Sequence, residues 1–370
     1  MCINLTYFLP KLITLGEIMK PIVLISLLAV LASCGDKHTF DTPVPKDGRF
    51  QQQRNSNSNS KDIVLINAHT EASDYYHEKF TVTYLDKLND ISTISDKDKQ
   101  SLKSELNKVL KWEHTRVPGK KDSAKRCARN SAQSNSCYSH AIDTYKDYSR
   151  ARTYLYGKID LKTNADGEYY LDTIYCQKQF TTNDLSKPQY AIGPMRKPDY
   201  NTINAEHVWP RSKFEEIKDT DYYNIKLSDL HNLFPSFVKS NGERSNYSFG
   251  NLDSTFEVVK DFSRYCPSST GKVFKKLGTS NSAVKFFEAP DEVKGDIARA
   301  MFYMSTRYYN YKKPTTMNID SEQEAVLRKW HKLDPVSAEE RRRNNEVFTV
   351  QHNRNPFVDY PQLVELINDL

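Results

Sequence analysis

Across 370 residues there is no apolar run long enough to span a bilayer, no CxxC pair, no HExxH and no GxSxG. Each absence closes a class. A spanning helix needs about 20 predominantly apolar residues, and the one leading candidate, Pro21 to Ala32, has only the length of a signal-peptide core. Without CxxC spacing the cysteines make a poor zinc cluster. Without HExxH or GxSxG, a metalloprotease or serine hydrolase would lack its mark. Internal repeats are missing too. A strong charge of one sign is also lacking: 53 basic against 47 acidic residues leave a net +6, which suits a polyanionic partner without requiring one. What is present is a hydrophobic share of 38%, enough for the core of one large domain or two ordinary ones.

The N-terminus carries an address. Met19-Lys20 leads into the apolar run, which ends in Leu31-Ala32-Ser33-Cys34, a match to the bacterial lipobox. Residues 1–33 therefore read as a signal segment, with 1–18 an upstream extension, and Cys34 as the acylated first residue of the mature chain. Acylation tethers a protein to a membrane surface without a transmembrane helix, each buried methylene contributing about 0.8 kcal/mol. With Cys2 and Cys34 set aside, Cys127, Cys137, Cys176 and Cys266 remain. An even count in an exported chain reads as two disulfides, with three connectivities open.

Residues 34–62 are polar and repetitive, with Gln51-Gln52-Gln53 and the Asn-Ser alternation from Asn55 to Ser60. Such a segment cannot bury enough apolar surface to offset its ordering and reads as a tether. Residues 63–149 read as an N-terminal helical region: Ser95-Asp96-Lys97-Asp98 resembles a capping box, and Leu102, Leu106, Val109 and Leu110 recur at helical spacing. The stretch Val117 to Ser136 reads as a basic loop, followed by a helix over Ala141 to Tyr156 that Gly157 stops. Lys158 to Leu161 and Glu168 to Cys176 then read as a hairpin across the turn Asn164 to Gly167.

The chemistry concentrates in Ala205-Glu206-His207-Val208-Trp209-Pro210, in Asp229-Leu230-His231-Asn232-Leu233 and in Asn241-Gly242-Glu243-Arg244-Ser245-Asn246. On a strand, adjacent Glu206 and His207 project to opposite faces, so one can hold a metal while the other turns toward a water. A later asparagine, one that follows a loop containing Pro235, offers a neutral oxygen, which suits magnesium, a cation that keeps several waters and uses few protein ligands. Together with the run Gly295 to Met304 and the closing Gln351 to Val358, these blocks resemble the endonuclease I family of exported bacterial nucleases. The likeness runs from about Arg150 to Leu366.

The resemblance implies a ββα-metal fold, sugar-nonspecific cleavage of nucleic acid, His207 as general base, and Glu206 and Asn241 as ligands of Mg2+ or another divalent cation. It favours pairing Cys127 with Cys137 and Cys176 with Cys266, because it covers only the second pair. Asp229, His231 and Asn232 read as structural support for the metal loop. Arg244 and Arg299 suit phosphate contacts or scaffold ion pairs. Asn353, Arg354 and Asn355 either close over the core or touch nucleic acid. Two departures stand out. The best-studied branch has an insert bearing an arginine, whereas Phe214 to Lys226 is short and has none, leaving Lys218 or Arg211 as substitutes. Leu227 stands where that branch has a glutamate.

The expected architecture is α+β, mostly helical, with a small antiparallel sheet and a ββα-metal active site in a catalytic domain over 150–370. The expected activity is a divalent-metal-dependent, largely sequence-nonspecific endonuclease, exported and held by its lipid anchor, with nucleic acid as partner and no obligate protein partner. The rival is a noncatalytic polyanion-binding surface lipoprotein on a nuclease scaffold.

Overall fold

The computed structural model describes residues 72–116, 119–126, 148–214, 218, 220–309 and 317–370. Cys34, Cys127 and Cys137, and the lipid anchor and disulfide expected of them, lie outside these residues. Within one compact unit, Val64–Leu370, the chain opens with two short helices, α1 (Ala72–Tyr75) and α2 (Glu78–Thr83), before the longer α3 (Asp96–Lys111). Ser95 caps α3 by accepting from the Asp98 amide at 3.2 Å, and acidic residues in the first turn with lysines in the last complement the helix dipole. The four apolar residues spaced along α3 are fully buried. They share a core with Phe302, Trp330 and Phe357 from the far end of the chain. Asn107 ties the two ends further by donating to the Thr306 and Arg307 carbonyls, 2.8 Å each.

The stretch read as an unbroken loop contains a strand. β1 (Glu113–Thr115) pairs antiparallel with β2 (Ser123–Lys125), an arrangement fixed by His114, which stacks on Tyr75 and meets Asp122 at 3.1 Å. Helix α4 (Tyr148–Tyr154) likewise does not stop at Gly157 but continues as a π-helical turn to Ile159. The glycine serves packing: a Cβ there would lie 2.4 Å from the Met195 backbone nitrogen, which instead donates to the Gly157 carbonyl at 2.9 Å. Lys158 therefore lies in the helix rather than in a strand. The hairpin forms three residues later, between β3 (Leu161–Thr163) and β4 (Tyr169–Asp172), and β5 (Gln179–Thr181) completes that sheet. Gly167 takes the positive φ of 79° that its turn requires.

Next come β6 (Ile203–His207), α5 (Asp221–Leu227), β7 (Leu233–Phe237) and α6 (Val238–Arg244). A second sheet has the order β8 (Ser248–Phe249), β11 (Lys285–Glu288), β10 (Lys272–Lys276), β9 (Phe256–Asp261), with β8 parallel to β11 and the other pairs antiparallel. The chain closes with α7 (Lys294–Arg307), α8 (Ser321–Leu333), α9 (Ala338–Gln351), α10 (Pro356–Asp359) and α11 (Leu363–Leu366). Apart from Asp296, every residue of α7 is buried, the mark of a central helix packed on all sides. Gly295 permits that packing, since a Cβ would strike the Asp334 carbonyl at 1.9 Å. The architecture is thus α+β, helix-rich with small, mainly antiparallel sheets. Among the described residues no helix is long and apolar enough to cross a membrane.

Candidate active site

Strand β6 pairs antiparallel with β7, Glu206 opposite Phe234 and His207 opposite Leu233, and β7 runs directly into α6. Pro235, read in the sequence as part of a loop, sits in β7 opposite Ala205. Its carbonyl accepts from Ile174 rather than from β6. The nitrogen of the same strand residue points the same way, so the donor that proline lacks costs the β6 ladder nothing.

Among the described residues the sheet has two strands, and β6 pairs with no strand but β7. A cleft of about 540 Å³ is lined by Asn204, Ala205, Glu206 and His207 from β6, and by Asn241, Arg152 and Arg211 among others. Alternation along an ideal strand sends neighbours to opposite faces, yet Glu206 and His207 both line the cleft.

Glu206 is 3% exposed. Its Oε1 accepts from the Tyr175 hydroxyl at 2.8 Å and lies 3.2 Å from Arg244 Nε, close enough for an ion pair although off the line of a hydrogen bond. Burial pushes its carboxyl above the usual range, and Arg244 and then Tyr175 pull it back. His207, 7% exposed, has Nε2 2.9 Å from the Leu227 carbonyl. A carbonyl can only accept, so Nε2 carries the proton and Nδ1 is left as the basic nitrogen. Burial lowers this imidazole to about 4, opposed by the Leu227 contact and assisted by Arg211 and Arg152. Leu227, which stands where the best-studied branch has a glutamate, contributes through its backbone. Asn241 donates from Nδ2 to Asn204 Oδ1 at 2.8 Å and more weakly to the Ala205 carbonyl at 3.4 Å.

The second polar cluster is woven into the core instead of the cleft. Asp229 accepts from Arg307 at 2.9 Å, Tyr308 at 2.7 Å, Gln351 at 2.7 Å and Tyr303 at 3.1 Å. These donors hold its carboxyl below the usual range despite full burial, Arg307 foremost. His231 reaches the Asn353 carbonyl at 3.2 Å, and Asn232 clasps the backbone of Trp209 with both ends of its amide, 2.7 and 3.2 Å. That clasp shapes the turn immediately after His207.

Of the two arginines, Arg244 is buried beneath the cleft, bridging Glu206 and the Val208 carbonyl. Arg299 is remote from the cleft, fully buried and bound to Glu340 at 2.6 Å and Asp296 at 3.1 Å. It is a scaffold ion pair. Asn353, Arg354 and Asn355 close over the core: Arg354 pairs with Asp359 at 2.7 Å, and Asn355 caps α10. Lys218 does not line the cleft, whereas Arg211 does.

Sequence reasoning missed Tyr175, Tyr148, Arg152, Tyr200 and Asn204. Tyr175 had one signal, its neighbour Cys176, which forms a disulfide with Cys266. That bond and the 2.6 Å contact from Ser269 to the Tyr175 carbonyl fix the segment that presents the hydroxyl. Arg152 had none. It approaches from α4 with its guanidinium 4.6 Å over the Tyr148 ring and its Nε buried without a hydrogen-bond partner.

The pattern of the family described as Endonuclease I matches residues 130–362. The chain belongs to the endonuclease I family. The match begins before Arg150, so the family's territory includes the segment leading into α4. An extracellular ribonuclease of Bacillus amyloliquefaciens is 33% identical over 177 residues, 44% of this chain and 53% of the relative. An Endonuclease-1 of Buchnera aphidicola is 28% identical over 218 residues, 54% of this chain and 76% of the relative. An extracellular deoxyribonuclease of Aeromonas hydrophila is 28% identical over 169 residues, 42% of this chain and 65% of the relative. The chain spans about half the length of the Bacillus relatives.

Proposed function

We propose that the protein is a divalent-metal-dependent, largely sequence-nonspecific endonuclease acting on DNA, with RNA as a second substrate. The observation that carries this reading is the convergence of Glu206, His207 and Asn241 on one cleft whose other lining residues include two arginines. Relatives named as ribonucleases and as deoxyribonucleases support both substrates.

The donor set fits a hard cation such as magnesium: one carboxylate and one amide oxygen in a polar cleft with room for waters. Tyr175 and Arg244 both approach Oε1 of Glu206, so Oε2 is the oxygen able to turn to the metal. Asn241 commits its nitrogen to β6, leaving Oδ1 as its ligand atom. When bound, the cation supplies charge stabilisation for the phosphorane oxyanion and the leaving 3′ oxygen. His207, neutral and fixed in its tautomer, takes the proton of the attacking water on Nδ1. A P–O bond forms to that water oxygen, the bond to the 3′ oxygen breaks, and the leaving oxygen takes a proton from solvent. Arg211 and Arg152 line the same cleft and would hold nonbridging oxygens. Contacts to phosphate position a strand without reporting its sequence.

Export follows from the signal segment and agrees with relatives named extracellular or periplasmic; acylated Cys34 would tether the enzyme to a membrane surface. A polyanion-binding lipoprotein would need only basic surface, and a tautomer-fixed histidine beside a carboxylate goes beyond that need.

The test is incubation of the purified protein with supercoiled plasmid and with RNA, with and without chelator. EDTA should abolish cleavage and magnesium restore it, and His207→Ala should slow it by about 10² to 10⁴. Full activity in excess EDTA refutes the reading.

A further inference from the structure

Beside the cleft just described lies a second one, of about 580 Å³. The two adjoin, sharing Arg152, Tyr200 and Asn204. Two of its lining residues are tyrosines that the fold leaves in solvent, Tyr190 at 53% and Tyr200 at 69% exposure. Aromatic rings of that size are usually at least half buried, so a pair of them on the rim of one groove calls for an occupant.

The charges point the same way. Arg152, Arg196 and Lys197 line this second cleft, and none of the described residues lining it is acidic. The rim is held in place: Met195, next to Arg196, takes a positive φ of 54° and donates its amide to the Gly157 carbonyl across a contact that only glycine permits. A bulky residue in that conformation persists only where its surroundings enforce it. Lys197 reaches Ser149 at 2.7 Å, which links the rim to the same helix that carries Arg152.

A groove that pairs cations with open aromatic faces, and that leads straight to a phosphodiester-cleaving centre, matches the recognition of unpaired nucleic acid. Cations track the backbone while rings stack on bases. A duplex cannot use the rings, since its bases already stack on one another and present only their edges. We propose that this second cleft is a subsite for the unpaired strand flanking the cleaved phosphodiester, with Tyr190 and Tyr200 stacking on bases and Arg196 and Lys197 holding phosphates. The proposal rests on the nuclease reading for the identity of the neighbouring centre, and it adds that single-stranded or locally frayed nucleic acid is the better substrate. Arg152, at the junction, would contact the phosphate between the two clefts.

The test uses a short single-stranded DNA oligonucleotide carrying 2-aminopurine, and the same oligonucleotide annealed to its complement, each titrated with the full-length protein in EDTA. The single strand should bind with quenched fluorescence. Tyr190→Ala and Tyr200→Ala should each weaken that binding by about 10- to 100-fold, with a much smaller effect on the duplex, and Tyr200→Phe should restore it because the ring face is retained. A folded Tyr190→Ala/Tyr200→Ala double variant that binds the single strand with parental affinity overturns the proposal. So does a variant weakened equally toward single strand and duplex. Magnesium-dependent nicking of plasmid by the parental protein is read separately. Tyrosine-dependent quenching without nicking would refute the nuclease reading and leave the subsite standing, and nicking without such quenching would do the reverse.

Discussion

Replacing Tyr175 by phenylalanine removes one oxygen atom from a completely buried ring, and that oxygen donates to Glu206 Oε1 at 2.8 Å. The packing of the ring against Phe287, with centroids 4.9 Å apart and edge to face, survives the change. What is lost is a hydrogen bond to an ionised group, which contributes about 1.5–3 kcal/mol. The carboxylate keeps Arg244 at 3.2 Å, so it is not stranded, but its orientation toward the cation loosens. Outer contacts of this kind typically alter metal affinity by about 10- to 100-fold, or about 1.4–2.7 kcal/mol, the same range reached independently. The expected outcome for Tyr175→Phe is therefore a magnesium half-saturation for plasmid nicking raised about 10- to 100-fold, with a plateau rate close to the parent's. The assay is a magnesium titration of nicking on protein whose fold is verified by circular dichroism. An unchanged half-saturation would refute the reasoning. A collapsed plateau with unchanged half-saturation would instead make Tyr175 a participant in the chemistry and remove Glu206 from the ligand set.

Three further outcomes are expected. Arg307→Ala leaves the fully buried Asp229 without its cation and should destabilise the fold by about 3–5 kcal/mol in urea denaturation; a loss below about 1 kcal/mol, the size of an exposed ion pair, would contradict the network. Reduction of Cys176–Cys266, which closes a loop with a sequence separation of 90, should cost about 4 kcal/mol of stability, visible as a lower melting temperature that a Cys176→Ser/Cys266→Ser variant reproduces without reductant. Burial lowers His231 to about 3 and His207 to about 4, so below about pH 6.5 the unfolded chain gains protons that the folded chain refuses. Stability should accordingly fall as pH drops from about 6.5 toward 4; a denaturation midpoint constant over that window would show that these imidazoles are not buried in neutral form.

Much of the candidate site was legible because its core is local. Glu206 and His207 are adjacent on one strand, and Asn241 follows on the helix that its partner strand feeds. Two strands and a helix that all fall within residues 203–244 keep such residues within short stretches of sequence, where residue type and order carry the signal. The long amphipathic helix α3 was legible for the same reason, its apolar spacing matching its buried face. The hairpin was legible from Asn164 to Gly167, whose turn chemistry survives although its strands begin later than expected.

The misreadings share a cause. Gly157 was read as a helix stop, a local role, whereas its real constraint is the Met195 backbone, distant in sequence. Pro235 was read as a loop signal, although a proline whose nitrogen faces away from the partner strand is tolerated. Arg299 looked equally suited to phosphate or to scaffold, and only the approach of Glu340 decides for scaffold. No local pattern reports such long-range contacts.

The missing arginine of the short Phe214 to Lys226 interval is the sharpest instance. A cleft that handles a dianionic transition state needs fixed positive charge near the phosphate, and sequence order directs attention to the interval where relatives of the best-studied branch carry it. Here both cations precede that interval: Arg211 just beyond β6, and Arg152 on α4, more than fifty residues before His207. The helix that carries Arg152 continues past Tyr154 as the π-helical turn in which Gly157 meets Met195. The helix and the rim of the second cleft are thus joined by that close contact and by Lys197 on Ser149. Charge at this centre is a property of how α4 packs, and a substitution at Gly157 would displace it without touching a residue of the motif.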